Sequence, residues 1–93
     1  QISFELFKKG LSVKEIATER SLTTGTIESH LASYIPSGEI DVLELIPLKR
    51  YQKMRKEIEA VEYKNLTHLK ENVDKSYSFM ELRMVLLSLN QEI

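Results

Sequence analysis

Apolar residues recur three and four positions apart along most of the chain, and no stretch alternates with the period of two that a half-buried strand needs. The pattern predicts an all-α protein. A first helix is expected over residues 2–9, with Ser3 placed to cap it and Phe4, Leu6 and Phe7 apolar. Lys8 and Lys9 fall in its last turn, where they complement the helix dipole or, alternatively, meet a phosphate. Gly10 suits the position just past the helix end. Ser12 with Glu15 has capping-box spacing and opens a second helix carrying Val13, Ile16 and Ala17 on its apolar side. Ser21 breaks that helix, and Leu22 is expected to drop back into the core. Thr23 caps a third helix in which Ile27, Leu31, Tyr34 and Ile35 share one face, and Pro36, Ser37 and Gly38 stop it.

Beyond the turn, Asp41 is placed to cap a short helix over residues 42–46 with Leu43 and Ile46 pointing inward. Pro47 ends it and suits the first position of the next helix. The longest helix is expected over residues 48–63, with Leu48, Tyr51, Met54, Ile58 and Val61 on one face and Lys49, Arg50, Lys53, Arg55 and Lys56 on the other. Lys53 with Glu57, and Arg55 with Glu59, stand four apart and are expected to pair. Two readings of the basic half stay open: a phosphate-binding patch, or a solvated face half neutralised by its own acids. A short helix is expected over residues 65–73, then a polar loop at 74–76. Ser78 with Glu81 repeats the capping-box spacing at the start of a last helix. Phe79, Leu82, Met84, Val85, Leu86, Leu87 and Leu89 make that helix apolar over much of its circumference, so it is either central to the core or a contact surface.

The spacing within residues 10–40 carries more meaning than the helices themselves. A small residue at Ala17, a short turn, and Leu22 and Ile27 filling the wedge is the order found in a helix-turn-helix. A plain helical hairpin is the alternative. In a helix-turn-helix the second helix of the pair enters the DNA major groove with its N-terminal residues. Those residues are Thr24, Gly25, Thr26, Glu28 and Ser29.

Composition narrows the picture. Ninety-three residues make one modest core, expected as a single helical domain with a helix-turn-helix core over 2–40 and a helical extension over 41–93. Thirteen basic against fourteen acidic residues give a net charge of −1, whereas a free-standing DNA binder usually carries a basic excess. There are no cysteines, hence no disulfide and no thiolate metal site. No apolar run is long enough to span a bilayer and no signal peptide is visible, so no membrane partner is expected. The chain begins with Gln1, so it is expected to be an excerpt of a longer one.

The chain is expected to be non-enzymatic. It has no GxxxxGK[ST], no HExxH, no CxxC and no GxSxG. His30 and His68 are far apart and lack a ligand pattern. His30 is expected to be packed and hydrogen-bonded near the helix interface, and His68 to lie at the surface. No metal and no cofactor is expected in this piece.

LFKKGLSVKEIATERSLTTGTIESHLASYIPSGEIDV, residues 6–42, resembles the helix-turn-helix domain at the extreme C-terminus of RecQ-family ATP-dependent DNA helicases. The likeness is carried by the LFxxG lead-in, Ile16-Ala17, the Arg20 to Leu22 turn, Thr26-Ile27, His30-Leu31 and the GEID ending at Asp41. SYSFMELRMVL, residues 76–86, resembles the family's closing helix more loosely. The GLSxKEIA opening and TIxxHL are also similar to LuxR-like transcription regulators, which have lysine where this chain has Glu28. GEID and the helices after it favour the helicase appendage. The resemblance implies an accessory module whose parent chain carries a 3′ to 5′ motor acting in DNA repair and recombination, with ATP and magnesium bound in that motor. It implies a cytoplasmic, nucleoid-associated protein of bacteria. The implied partner is DNA, single-stranded or at a junction, with low sequence specificity. Lys14, Thr24, Gly25, Thr26, Glu28 and Ser29, with Lys49 and Lys53 on the basic helix, are the candidate contacts. A module docking other domains of the parent chain or a second copy is the rival reading, through an exposed patch of Phe79, Met80, Leu86 and Leu87.

Overall fold

Six α-helices and one 3₁₀ turn make up the computed structural model, which describes residues 2–89. They are α1 (Ile2–Lys8), α2 (Val13–Arg20), α3 (Thr24–Ala32), the 3₁₀ turn (Val42–Glu44), α4 (Leu48–Ala60), α5 (Leu66–Glu71) and α6 (Phe79–Ser88). No strand occurs among the described residues, and no helix there is long and apolar enough to cross a membrane.

Local chemistry sets most boundaries. Ser12 and Glu15 exchange both hydrogen bonds of a capping box at the start of α2, and Ser78 with Glu81 does the same for α6. Thr23 caps α3, Asp41 the 3₁₀ turn and Asn65 α5, each through its side-chain oxygen. The first two helices end alike. Leu11 N–H reaches back to Leu6 O at 3.2 Å around Gly10 at φ +105°, and Leu22 N–H reaches back to Ala17 O at 2.9 Å around Ser21 at φ +55°. Both are Schellman closures, which require a left-handed residue. At the second of them that residue is a serine.

One cluster of buried side chains runs through the molecule. Ile16, Ala17, Ile27, Leu31 and Ala32 come from the first half, and Met54, Ile58, Leu69, Tyr77, Leu82, Met84, Val85 and Leu86 from the second. The last helix joins the two halves: α6 packs on α3, α4, α5 and the 3₁₀ turn. It is the central element of the core. Its expected outward patch is correspondingly broken up, since Leu86 is fully buried, Met80 and Leu87 are half-buried, and only Phe79 is exposed, with Lys70 over its ring.

Several expectations need correction. Ser3 does not cap α1. It lies inside the first turn, fully buried, and bonds across to α2 and α3. Leu22 is 38% exposed, because the left-handed turn at Ser21 and the bond from Leu22 N–H to Ala17 O leave its side chain at the rim. Leu43 is exposed because the tighter 3₁₀ turn puts Val42 and Ile46 inside instead. Leu48, at the first position of α4, lies beyond the core at the helix end and is exposed. Pro47 stands just before α4 as its N-cap residue. The third helix closes at Ala32, and Tyr34 and Ile35 continue in turns, Tyr34 stacked on Phe4 at 4.2 Å between ring centroids. The long helix stops at Ala60, with Val61 extended.

Candidate nucleic-acid interface

The first turn of α3 is built by its cap. Thr23 Oγ1 accepts from Thr26 N–H at 3.1 Å and pairs with Thr26 Oγ1 at 2.8 Å. Thr26 is thereby turned back on the cap and is half-buried. Thr24, Gly25 and Ser29 are exposed, and the amides of Thr24 and Gly25 sit at the free, partially positive end of the helix. A Cβ added at Gly25 would come no closer than 4.0 Å to anything, the Thr23 hydroxyl being the nearest atom. Gly25 is not required by its backbone angles or by packing, and the space beside it is open.

Glu28 does not join that surface. It is half-buried, and burial first and the Glu81 carboxylate second raise its carboxyl above the usual range. The cost expected from a carboxylate facing phosphate is reduced by this inward turn. The outer face of α3 carries no lysine, arginine, asparagine or glutamine, the side chains that make bidentate contacts to base edges. Hydroxyls and backbone amides are what it offers, and those position a phosphate backbone without reading sequence.

Lys14 is exposed in the first turn of α2. On α4 the charges are largely matched within the chain. Arg50 makes a two-pronged pair with Glu81, at 2.7 and 3.0 Å, and also donates to Ser76 O. Lys53 pairs with Asp74 at 2.8 Å, with Glu57 at 3.9 Å, and Arg55 pairs with Glu59 at 3.0 Å. Lys49 and Lys56 are exposed without an ion pair among the described residues. Because α4 packs on α6, its basic side is carried by the extension and not by the α2–α3 pair.

A second polar system locks α4 to the loop before α6. Glu57 accepts from Asp74 N–H at 2.9 Å and from the hydroxyl of Tyr77, whose ring lies under the Arg50 and Lys53 cations. Lys53 pulls the Asp74 carboxyl far below its usual range, helped by bonds from Ser76. Sequence spacing carries no sign of these partners, which stand 17 to 31 residues apart. His30 is half-buried and hydrogen-bonded to Ser3, as expected; His68 is half-buried and accepts from Lys64 N–H through Nδ1.

A family model of the helix-turn-helix domain matches residues 1–86. The chain belongs to that family. No match was found among curated proteins or among solved structures. Within a helix-turn-helix domain, α2 and α3 are the paired helices and α1 is the support packed on both, which is the arrangement seen here. In helix-turn-helix domains that bind DNA, the N-terminal part of the second helix enters the major groove; here that part of α3 is exposed.

Proposed function

We propose that this helix-turn-helix domain is an accessory nucleic-acid-binding module, the C-terminal appendage of a RecQ-type 3′ to 5′ DNA helicase acting in repair and recombination on the bacterial nucleoid. The module itself is non-catalytic and holds no cofactor; ATP and magnesium belong to the parent motor. The observation that carries the binding part is the exposed side of α3, where free amides and the Thr24 hydroxyl at its first turn stand beside an unobstructed Gly25, with the Ser29 hydroxyl exposed one turn on. The helicase part rests on the sequence likeness of residues 6–42. Thr24, Gly25 and Ser29 approach the backbone, Lys14 and Lys49 supply charge, and the absence of base-reading side chains on α3 makes the contact tolerant of sequence.

Fluorescence anisotropy with labelled single-stranded, duplex and forked DNA tests the reading. Binding should appear at low salt and fall as salt rises, with a slope of about −0.9 per phosphate on duplex and about −0.7 on single strands. Lys14→Glu should weaken all substrates alike by roughly tenfold, since it replaces attraction to phosphate with repulsion. Absence of binding to every substrate at low salt removes the proposal.

A further inference from the structure

Ser3 is fully buried, and apart from Tyr77 it is the only side chain with a polar group so placed among the described residues. Arg20 Nη1, at the end of α2, donates to its Oγ at 2.7 Å. A guanidinium can only donate, and Nη1 also lies 3.4 Å from Nδ1 of His30 on α3. Nδ1 therefore serves as an acceptor, and the Ser3 hydroxyl hydrogen goes to it at 3.0 Å. The hydrogen of the imidazole then sits on Nε2.

Among the described residues no carboxylate closes on Arg20. The ion pairs among the described residues involve Arg50, Lys53 and Arg55. Among the described residues Arg20 Nε and Nη2 and His30 Nε2 have no protein partner, and none of them is among the buried unpartnered atoms, so none is sealed from solvent. The result is a group of outward donors with no acceptor between them, carrying a full positive charge and fixed from behind by a buried serine. A guanidinium held in this way matches the oxygens of a phosphate through two parallel bonds.

We infer that Arg20, oriented by Ser3 and flanked by His30, is a phosphate-binding point of this domain, and that its ligand is a backbone phosphate of the nucleic acid received by α3. The identity of the ligand rests on the proposed function; the site does not. His30 lies six residues beyond Thr24, about 9 Å along the helix axis. It also lies about 120° around the helix from Thr24, so the Arg20 site is a phosphate contact on a neighbouring side of α3, separate from its first turn.

The test has two arms, both on the intact chain. In the first, inorganic phosphate is titrated while NMR tracks the Arg20 Nε–H and the His30 ring, with sodium chloride at matched ionic strength as the control. Saturable shifts at both residues, lost in Arg20→Gln and weakened in Arg20→Lys, support the site. Absence of phosphate-specific shifts in the wild type overturns it. In the second arm, the salt dependence of DNA binding is compared between wild type and variants. Arg20→Gln should reduce the slope by about 0.9 and weaken binding roughly tenfold at low salt. Arg20→Lys keeps the charge at the end of α2 and should fold, while losing the two-pronged contact. A variant that melts earlier but binds phosphate and DNA as the wild type does shows Arg20 to be structural only and overturns the inference. Phosphate binding at Arg20 without any DNA binding overturns the nucleic-acid assignment and leaves a site for a small phosphorylated ligand.

Discussion

At single positions the two ends of the α2–α3 turn make opposite demands. Ser21 holds a left-handed conformation at φ +55° that costs an L-residue roughly 1–2 kcal/mol. Gly10 fills the equivalent position after α1 without that cost. Ser21→Gly should therefore stabilise the domain by about 0.5–1 kcal/mol, the gain being reduced by the greater freedom of glycine in the unfolded chain. Thermal unfolding by circular dichroism should show it as a rise of roughly 3–6 °C in Tm. Gly25 is the reverse case. It sits in a helix with ordinary backbone angles and open space beside it, so Gly25→Ala should also firm the fold, by up to about 1 kcal/mol. If a phosphate approaches the α3 amides closely, the same methyl group stands in its path. Stability rising while DNA affinity falls is the expected pair of results, and anisotropy beside a melting curve reads both. Unchanged affinity would detach Gly25 from the interface.

Among elements, what the sequence makes legible is what lies close along it. Capping boxes at Ser12–Glu15 and Ser78–Glu81, the caps at Thr23 and Asp41, and the glycine after α1 each involve residues two to four apart, and all stand as expected. The inward and outward sense of a side chain at an element's end is less legible, because it depends on the neighbour that covers it. Leu22, Leu43 and Leu48 have core chemistry but end-of-element positions. Within the candidate interface, the exposure of Thr24, Gly25 and Ser29 comes from helix position. The turning-in of Glu28 does not, since it depends on α6 packing against α3 from some fifty residues away.

The same junction gives opposite pH responses. Arg50 holds the Glu81 carboxyl below its usual range, more strongly than burial raises it. A carboxyl whose folded value is depressed contributes stability that is present above its unfolded value, near pH 4.3, and lost as the pH falls through the lower folded value. Glu81→Gln, which keeps a capping side chain, should cost about 1 kcal/mol at pH 7 for a pair this exposed, and much less at pH 2. Glu28 is raised, so its folded form binds a proton more tightly than the unfolded chain, and stability falls as pH rises through that window. Glu28→Gln should raise Tm at pH 7 and give no gain below pH 4, about where the unfolded carboxyl is protonated. Melting curves of the two variants across pH 2–7 should diverge in opposite directions.

At the scale of the whole molecule, the helix-turn-helix depends for its stability on the C-terminal helices. Nine of the eighteen buried apolar side chains among the described residues lie beyond Ile46, on α4 to α6 and the loops between. A fragment ending at residue 46 keeps α1–α3 and the 3₁₀ turn but loses α6, against which both α3 and that turn pack. Ile27 and Leu31, fully buried in the complete domain, belong to the cluster that α6 completes. At this length a chain without disulfide or metal has little apolar surface to bury. The fragment should show weak helical signal and no cooperative melting, whereas the complete domain should unfold in a single transition. Within the complete chain, Leu86→Ala at the centre of α6 should cost about 2–5 kcal/mol, a large share of a typical domain's 5–15 kcal/mol. Far-UV circular dichroism during denaturant unfolding checks both. If residues 1–46 melt cooperatively and bind DNA as the full domain does, α4 to α6 are an attached second unit, and the coupling of Glu28 to Glu81 has no bearing on how α3 is presented.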